Sequence, residues 1–136
     1  AADVWSVTSY KAVYEEAMDT DRWNIMNPEE APRVSYLEQL MDGTEGPIIA
    51  VSDYIKILPH SLARWLKQPL VALGTDGFGR SEGREALRRH FEVDAAHTVW
   101  ATLGQLVREG QLKGEVLAKA QKALNIDTQK PNPVTL

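Results

Sequence analysis

Apolar positions change period several times along this chain, and each change marks a predicted element. Val4-Trp5-Ser6-Val7-Thr8 is a run of β-formers and predicts a strand. Ser9 then predicts an N-cap, and Tyr10, Val13, Tyr14 and Ala17 recur at helical spacing to about Met18. Asn27-Pro28-Glu29-Glu30 has the form of a helix start, with Glu30 placed as a capping-box carboxylate, but Pro32 limits it to a turn. Val34, Leu37, Leu40 and Met41 mark a second helical face, which Asp42-Gly43 ends.

Pro47-Ile48-Ile49-Ala50-Val51 is short and unbroken, the pattern of a strand covered on both faces. Ser52 or Asp53 is placed to cap a helix carrying Ile55, Leu58, Leu62, Trp65 and Leu66, which Pro59 kinks or divides. Leu70-Val71-Ala72-Leu73 predicts a third strand, and the glycine-rich stretch from Gly74 to Gly79 predicts a loop. Ser81 predicts the cap of a helix from Glu82 to about His90, with Arg88, Arg89 and His90 favourably placed at its C-terminal end. Asp94 predicts the next cap, for a helix with Val99, Leu103, Leu106 and Val107 on one face and Gly110 closing it. Gly114 opens the last helix, where Glu115 and Lys119 stand four apart as an ion pair, and Lys130-Pro131-Asn132-Pro133 reads as an extended tail.

Strands alternating with helices imply parallel pairing through right-handed crossovers. Three strands are few for such a sheet. The chain opens Ala1-Ala2-Asp3 without an initiator Met, just before the first predicted strand. Both features point to an upstream strand and helix absent from this sequence.

Composition narrows the function classes. With 136 residues and 43% hydrophobic content the chain has the size and apolar fraction of one globular domain. The cysteine count is 0, which excludes disulfides and thiolate metal ligands. No apolar run approaches the ~20 residues of a membrane span, and no secretory signal is visible. Residues 1–53 hold 11 acidic and 3 basic side chains, whereas residues 54–136 hold 8 acidic and 12 basic. The basic second part is compatible with an anionic partner. A pI near 5.4 disfavours nucleic acid.

The loop from Gly74 to Ser81 is the most informative stretch for chemistry. It follows a strand and opens a helix, the place where α/β domains bind anions. Arg80, Arg84 and Arg88 fall four apart, as if on one helical stripe. The glycine spacing is nevertheless wrong for a dinucleotide fingerprint, and the ending of a P-loop is missing. The plain alternative is a structural turn, with Phe78 packed inward and Ser81 serving only as a cap. His60, His90 and His97 lack the spacing of a metal-binding pair, and no serine stands in a nucleophile elbow. Glu15-Glu16 and Glu29-Glu30 read as solvated faces. Trp23, in the poorly periodic segment Arg22 to Met26, is the tryptophan placed to meet another domain or subunit.

Asp3-Val4-Trp5-Ser6-Val7-Thr8-Ser9 and Ser52-Asp53-Tyr54 resemble segments of the C-terminal domain in homodimeric pyruvate dehydrogenases. The likeness is strongest over Leu73-Gly74-Thr75-Asp76-Gly77-Phe78-Gly79-Arg80-Ser81 and over Arg88-Arg89-His90-Phe91-Glu92-Val93-Asp94-Ala95, and it extends to Asn125-Ile126-Asp127 and Asn132-Pro133. That family is the first component of the pyruvate dehydrogenase complex. The resemblance implies an α/β fold like the transketolase C-terminal domain, three-layered, with a small, mainly parallel sheet and helices on both faces. The domain would occupy residues 1–127, lacking its first strand and helix, with residues 128–136 as a tail.

The parent activity implied is decarboxylation of pyruvate and reductive acetylation of lipoyl groups, with thiamine diphosphate and Mg²⁺ as cofactors. The implied partners are the other domains and second subunit of a cytoplasmic homodimer and the dihydrolipoyl acetyltransferase component, with neither nucleic acid nor membrane. The family holds its cofactor through a Gly-Asp-Gly motif and a later asparagine. Here the nearest counterpart is Thr75-Asp76-Gly77, and the next asparagine is Asn125. No catalytic, cofactor-binding or metal residue is therefore carried over to this chain, which is expected to be inactive alone and to support the dimer. Asp76, Gly77, Phe78, Gly79, Arg80, Ser81 and Arg84 are the candidates for an interface. In the alternative reading the same loop serves a regulatory module that binds an anion or nucleotide.

Overall fold

Two strands, β1 (Ile48–Val51) and β2 (Leu70–Leu73), pair in parallel in the computed structural model, which describes residues 1–135. Ile48 stands opposite Leu70 and Val51 opposite Leu73, so the two strands end together. The element order is α1 (Tyr10–Met26), α2 (Tyr36–Met41), β1, α3 (Ile57–His60), a 3₁₀ turn (Ala63–Trp65), β2, α4 (Arg84–His90), α5 (Ala95–Arg108), α6 (Glu115–Ala123) and a closing 3₁₀ turn (Pro133–Thr135). The fold is thus α/β with parallel pairing, as the alternation predicts.

Several local expectations hold for stated reasons. Ser9 accepts the Ala12 amide at 3.1 Å and caps α1. Asp94 caps α5 by accepting the His97 amide at 2.8 Å. Gly43 and Gly110 follow α2 and α5 in the left-handed region, at φ 74° and 73°. The segment is divided into α3 and the 3₁₀ turn, but the break falls after His60, with Pro59 itself inside α3.

Other expectations are corrected. Residues 4–8 form no strand, and Val4 is 95% exposed. β-propensity alone does not make a strand, because its amides and carbonyls need a neighbouring ladder. Helix α1 runs on to Met26, through the segment whose periodicity is poor. Trp23 lies within it, and its ring is overlaid by the Arg33 guanidinium 3.8 Å from the centroid. Asn24 fixes that return of the chain by exchanging two hydrogen bonds with the Arg33 backbone, at 2.8 and 2.9 Å. Asn27 to Glu30 is a turn, as Pro32 predicts, whereas Val34 lies outside α2, which Ser35 and Glu38 open with a reciprocal capping box. The helix after β1 starts at Ile57 without a side-chain cap; Ser52 instead accepts the Tyr54 amide within a turn. Glu115 and Lys119 form no ion pair among the described residues.

One core joins α1, α2 and the segment after β1. Ala17, Leu37, Leu62 and Trp65 are buried together, with Tyr10, Val13, Met41 and Leu66 packed against them. Trp65 meets Tyr14 edge-on at 5.7 Å, and its indole N–H donates to Asp21 at 3.1 Å. Helix α5 packs on both strands and on α6. Between α4 and α5, Val93 is fully buried.

Candidate functional site

Because β1 and β2 end together, the loops that follow them leave the sheet side by side. They are stitched to each other. The Thr75 amide donates to the Tyr54 carbonyl at 3.0 Å, and its hydroxyl donates to the Asp53 carbonyl at 2.5 Å. Asp76 accepts the Lys56 amide at 2.9 Å and lies 3.6 Å from the Lys56 ammonium. Gly74 permits this approach, since a Cβ there would stand 2.5 Å from the Tyr54 carbonyl oxygen.

Beyond Asp76 the loop turns outward. Gly77 adopts φ 90°, with the Val134 backbone 3.3 Å from where a Cβ would sit, so the C-terminal tail backs the loop. Phe78 is 90% exposed, which corrects the expectation of an inward-packed ring. Gly79, Arg80 and Ser81 are exposed as well. Ser81 does not cap α4: the helix starts at Arg84 after an extended Gly83, with no side-chain cap. Arg80 therefore lies off the helix, and only Arg84 and Arg88 share its stripe.

Tertiary structure brings the three arginines together all the same. An open groove of about 430 Å³ runs between the loop and α4, with Arg80, Arg84 and Arg88 beside Phe78, Leu87 and Phe91. Arg88 is fixed, donating to the Val93 carbonyl at 2.7 Å and standing 3.7 Å from the Asp53 carboxylate. Arg80 and Arg84 form no ion pair among the described residues.

The far end of α4 is anchored from the tail, which sequence patterning did not indicate. Lys130 donates to the carbonyls of Arg89 and His90, at 3.2 and 2.6 Å, and pairs with Glu92 at 3.2 Å. Arg89 reaches the Asn125 carbonyl and the Asp94 carboxylate. The Lys130 contacts and that of Arg89 with Asn125 span 36 to 41 positions and leave no periodic trace in the sequence. Burial lowers the pKa of His90, and the charges of Arg80 and Lys130 lower it further against the opposing pull of Glu92; its Nε2 is buried with no hydrogen-bond partner among the described residues. Burial works to raise the pKa of Asp94, but the His97 amide, the His97 ring and Arg89 together hold it below the ordinary aspartate range.

The loop does not fit the family's diphosphate and Mg²⁺ motif. Asp76, its one acidic residue, is committed to Lys56 on two atoms. No cluster of three or more His, Cys, Asp or Glu side chains with metal-binding geometry exists among the described residues.

Comparison with known proteins agrees with this architecture. The family model of the transketolase-like TK C-terminal domain matches residues 1–94, from the first predicted strand through both stitched loops and α4. The chain belongs to that family. It is 43% identical over 133 residues to the pyruvate dehydrogenase E1 component of Escherichia coli K12, and 40% identical over 134 residues to that of Pseudomonas aeruginosa. The E1 component of Mycolicibacterium smegmatis is 38% identical over 127 residues. These matches cover 97, 98 and 93% of this chain but only 14 to 15% of each relative. The chain spans about 15% of the length of the curated relatives it matches. No helix of this transketolase-like domain is long and apolar enough to cross a membrane, among the described residues.

Proposed function

We propose that this chain is a non-catalytic, structural part of a pyruvate dehydrogenase E1 component, bracing a cytoplasmic homodimer and the domains that hold thiamine diphosphate and Mg²⁺. On this reading the whole protein decarboxylates pyruvate and reductively acetylates lipoyl groups carried by the acetyltransferase component, while residues 1–127 form a packing domain with a short tail. Similarity to three E1 components supports the parent activity. The observation that carries the structural role is the outward-turned loop: Phe78, 90% exposed, stands on a base stitched to Tyr54 and Lys56 and backed by Val134. A rigid loop presenting an aromatic ring and an arginine suits a contact with another domain or subunit.

The test is a Phe78→Asp change in the intact E1 protein, followed by sedimentation velocity and lipoyl acetylation across a dilution series. The dimer should dissociate at higher protein concentration than the unchanged enzyme, with activity falling in step. Sedimentation and activity identical to the unchanged enzyme would overturn the bracing role of this loop. Release of CO₂ from pyruvate by the 136-residue chain, with thiamine diphosphate and Mg²⁺ added, would overturn the assignment as non-catalytic.

A further inference from the structure

We infer that the groove between the Gly74–Ser81 loop and α4 binds a small organic anion, a phosphate or carboxylate head on an aromatic or aliphatic body. Its shape and its charge point to the same occupant. The floor is apolar, formed by Leu87 and Phe91, with the exposed Phe78 ring at the rim. Three guanidinium groups, Arg80, Arg84 and Arg88, line the same space. Among the described residues, Asp53 and Glu82 are the carboxylates in the lining, against these three guanidinium groups.

The three arginines differ in what they are free to do. Arg88 is held by Val93 and Asp53 and shapes the wall. Arg80 and Arg84 are exposed and form no ion pair among the described residues. A planar guanidinium presents paired N–H donors that match a carboxylate or phosphate. A bare inorganic ion would satisfy those donors and leave the apolar floor uncovered. A ligand with a ring or short chain covers both, and a space of about 430 Å³ accommodates one ring with its acidic group. This inference stands on the groove alone and does not require that the loop brace a dimer.

Titration calorimetry of the purified protein with inorganic phosphate, phenyl phosphate, phenylacetate and benzyl alcohol tests it. One or both aromatic anions should bind about tenfold more tightly than inorganic phosphate and than benzyl alcohol, since both ring and head are then used. The stronger of phenyl phosphate and phenylacetate identifies the head group. Arg80→Ala and Arg84→Ala should each weaken that binding about tenfold. Arg84→Lys should recover only part of it, because an ammonium cannot make the paired contact. Both arginines are exposed, so these variants keep the fold. Equal affinity for inorganic phosphate and the aromatic anions would overturn the proposal. So would no saturable heat at millimolar concentration, or binding unaltered in both alanine variants.

Discussion

Asp76 and Lys56, twenty residues apart in sequence, lock together the two loops that leave the parallel strands. The Asp76 carboxylate takes the Lys56 amide at 2.9 Å on one oxygen and faces the Lys56 ammonium at 3.6 Å with the other. The amide bond is the stronger half, because losing it strands a partly buried backbone donor, whereas the ion pair is half in water. Asp76→Ala should therefore cost about 1–2 kcal/mol in urea unfolding. Asp76→Asn, which keeps an oxygen for the amide, should cost clearly less. Equal losses would show that the ion pair dominates.

Gly74 sets how closely those loops approach. A methyl group there would sit 2.5 Å from the Tyr54 carbonyl oxygen, a backbone atom with no freedom to swing away. Gly74→Ala should destabilise the protein by about 1–3 kcal/mol, read as a lower melting temperature by calorimetry. Gly79→Ala, where no atom of the described residues lies within 4 Å and φ is not positive, is the control and should be close to neutral.

The cap of α5 gives a pH dependence of definite sign. Asp94 has a lower pKa folded than unfolded, so its carboxylate contributes stability above the ordinary aspartate range. That contribution drains away as pH falls through the folded pKa, below about 4. Asp94→Ala should cost about 1 kcal/mol near neutrality, by loss of the cap. The difference from the unchanged protein should shrink in urea titrations carried toward pH 2.

His90 gives a pH dependence of the same sign, at higher pH. Burial, Arg80 and Lys130 keep its folded pKa below the unfolded value, against the opposing charge of Glu92. As pH drops through about 6.5 the unfolded chain takes up the proton first, so stability falls until the folded ring titrates too. An NMR titration of the His90 ring should give a midpoint below about 6.5, and Arg80→Ala should move it upward. A midpoint unmoved by that change would place Arg80 too far away to act on the ring.

Lys130 ties the tail to the end of α4. It donates to the Arg89 and His90 carbonyls in the last turn of that helix. Lys130→Met should loosen the tail and, through Val134 behind Gly77, the loop. Faster amide exchange at Thr75 to Gly79 than in the unchanged protein is the expected signature. Unchanged exchange there would mean that the tail does not support the loop.

Local chemistry made much of this protein legible in its sequence. Ser9, Asp94 and Gly110 act where hydrogen-bond geometry within one turn predicts them, and both paired strands stand where the apolar runs place them. The Gly74–Ser81 loop was legible as the informative stretch because its composition suits nothing but a turn. Its orientation was not: Phe78 points outward and Ser81 caps nothing, since inward and outward directions depend on what lies alongside. Val4 to Thr8 carries strand-forming side chains but no ladder, because pairing needs a neighbour that propensity cannot supply. The Asp76–Lys56 lock, the Lys130 anchor and the meeting of Arg80 with Arg84 and Arg88 join residues from separate elements. Hydrogen bonding and apolar period act over a few residues, so the sequence determined the elements and their caps. Contacts between distant segments form only when the chain closes on itself, so the tertiary structure decided the groove and the face that the loop presents.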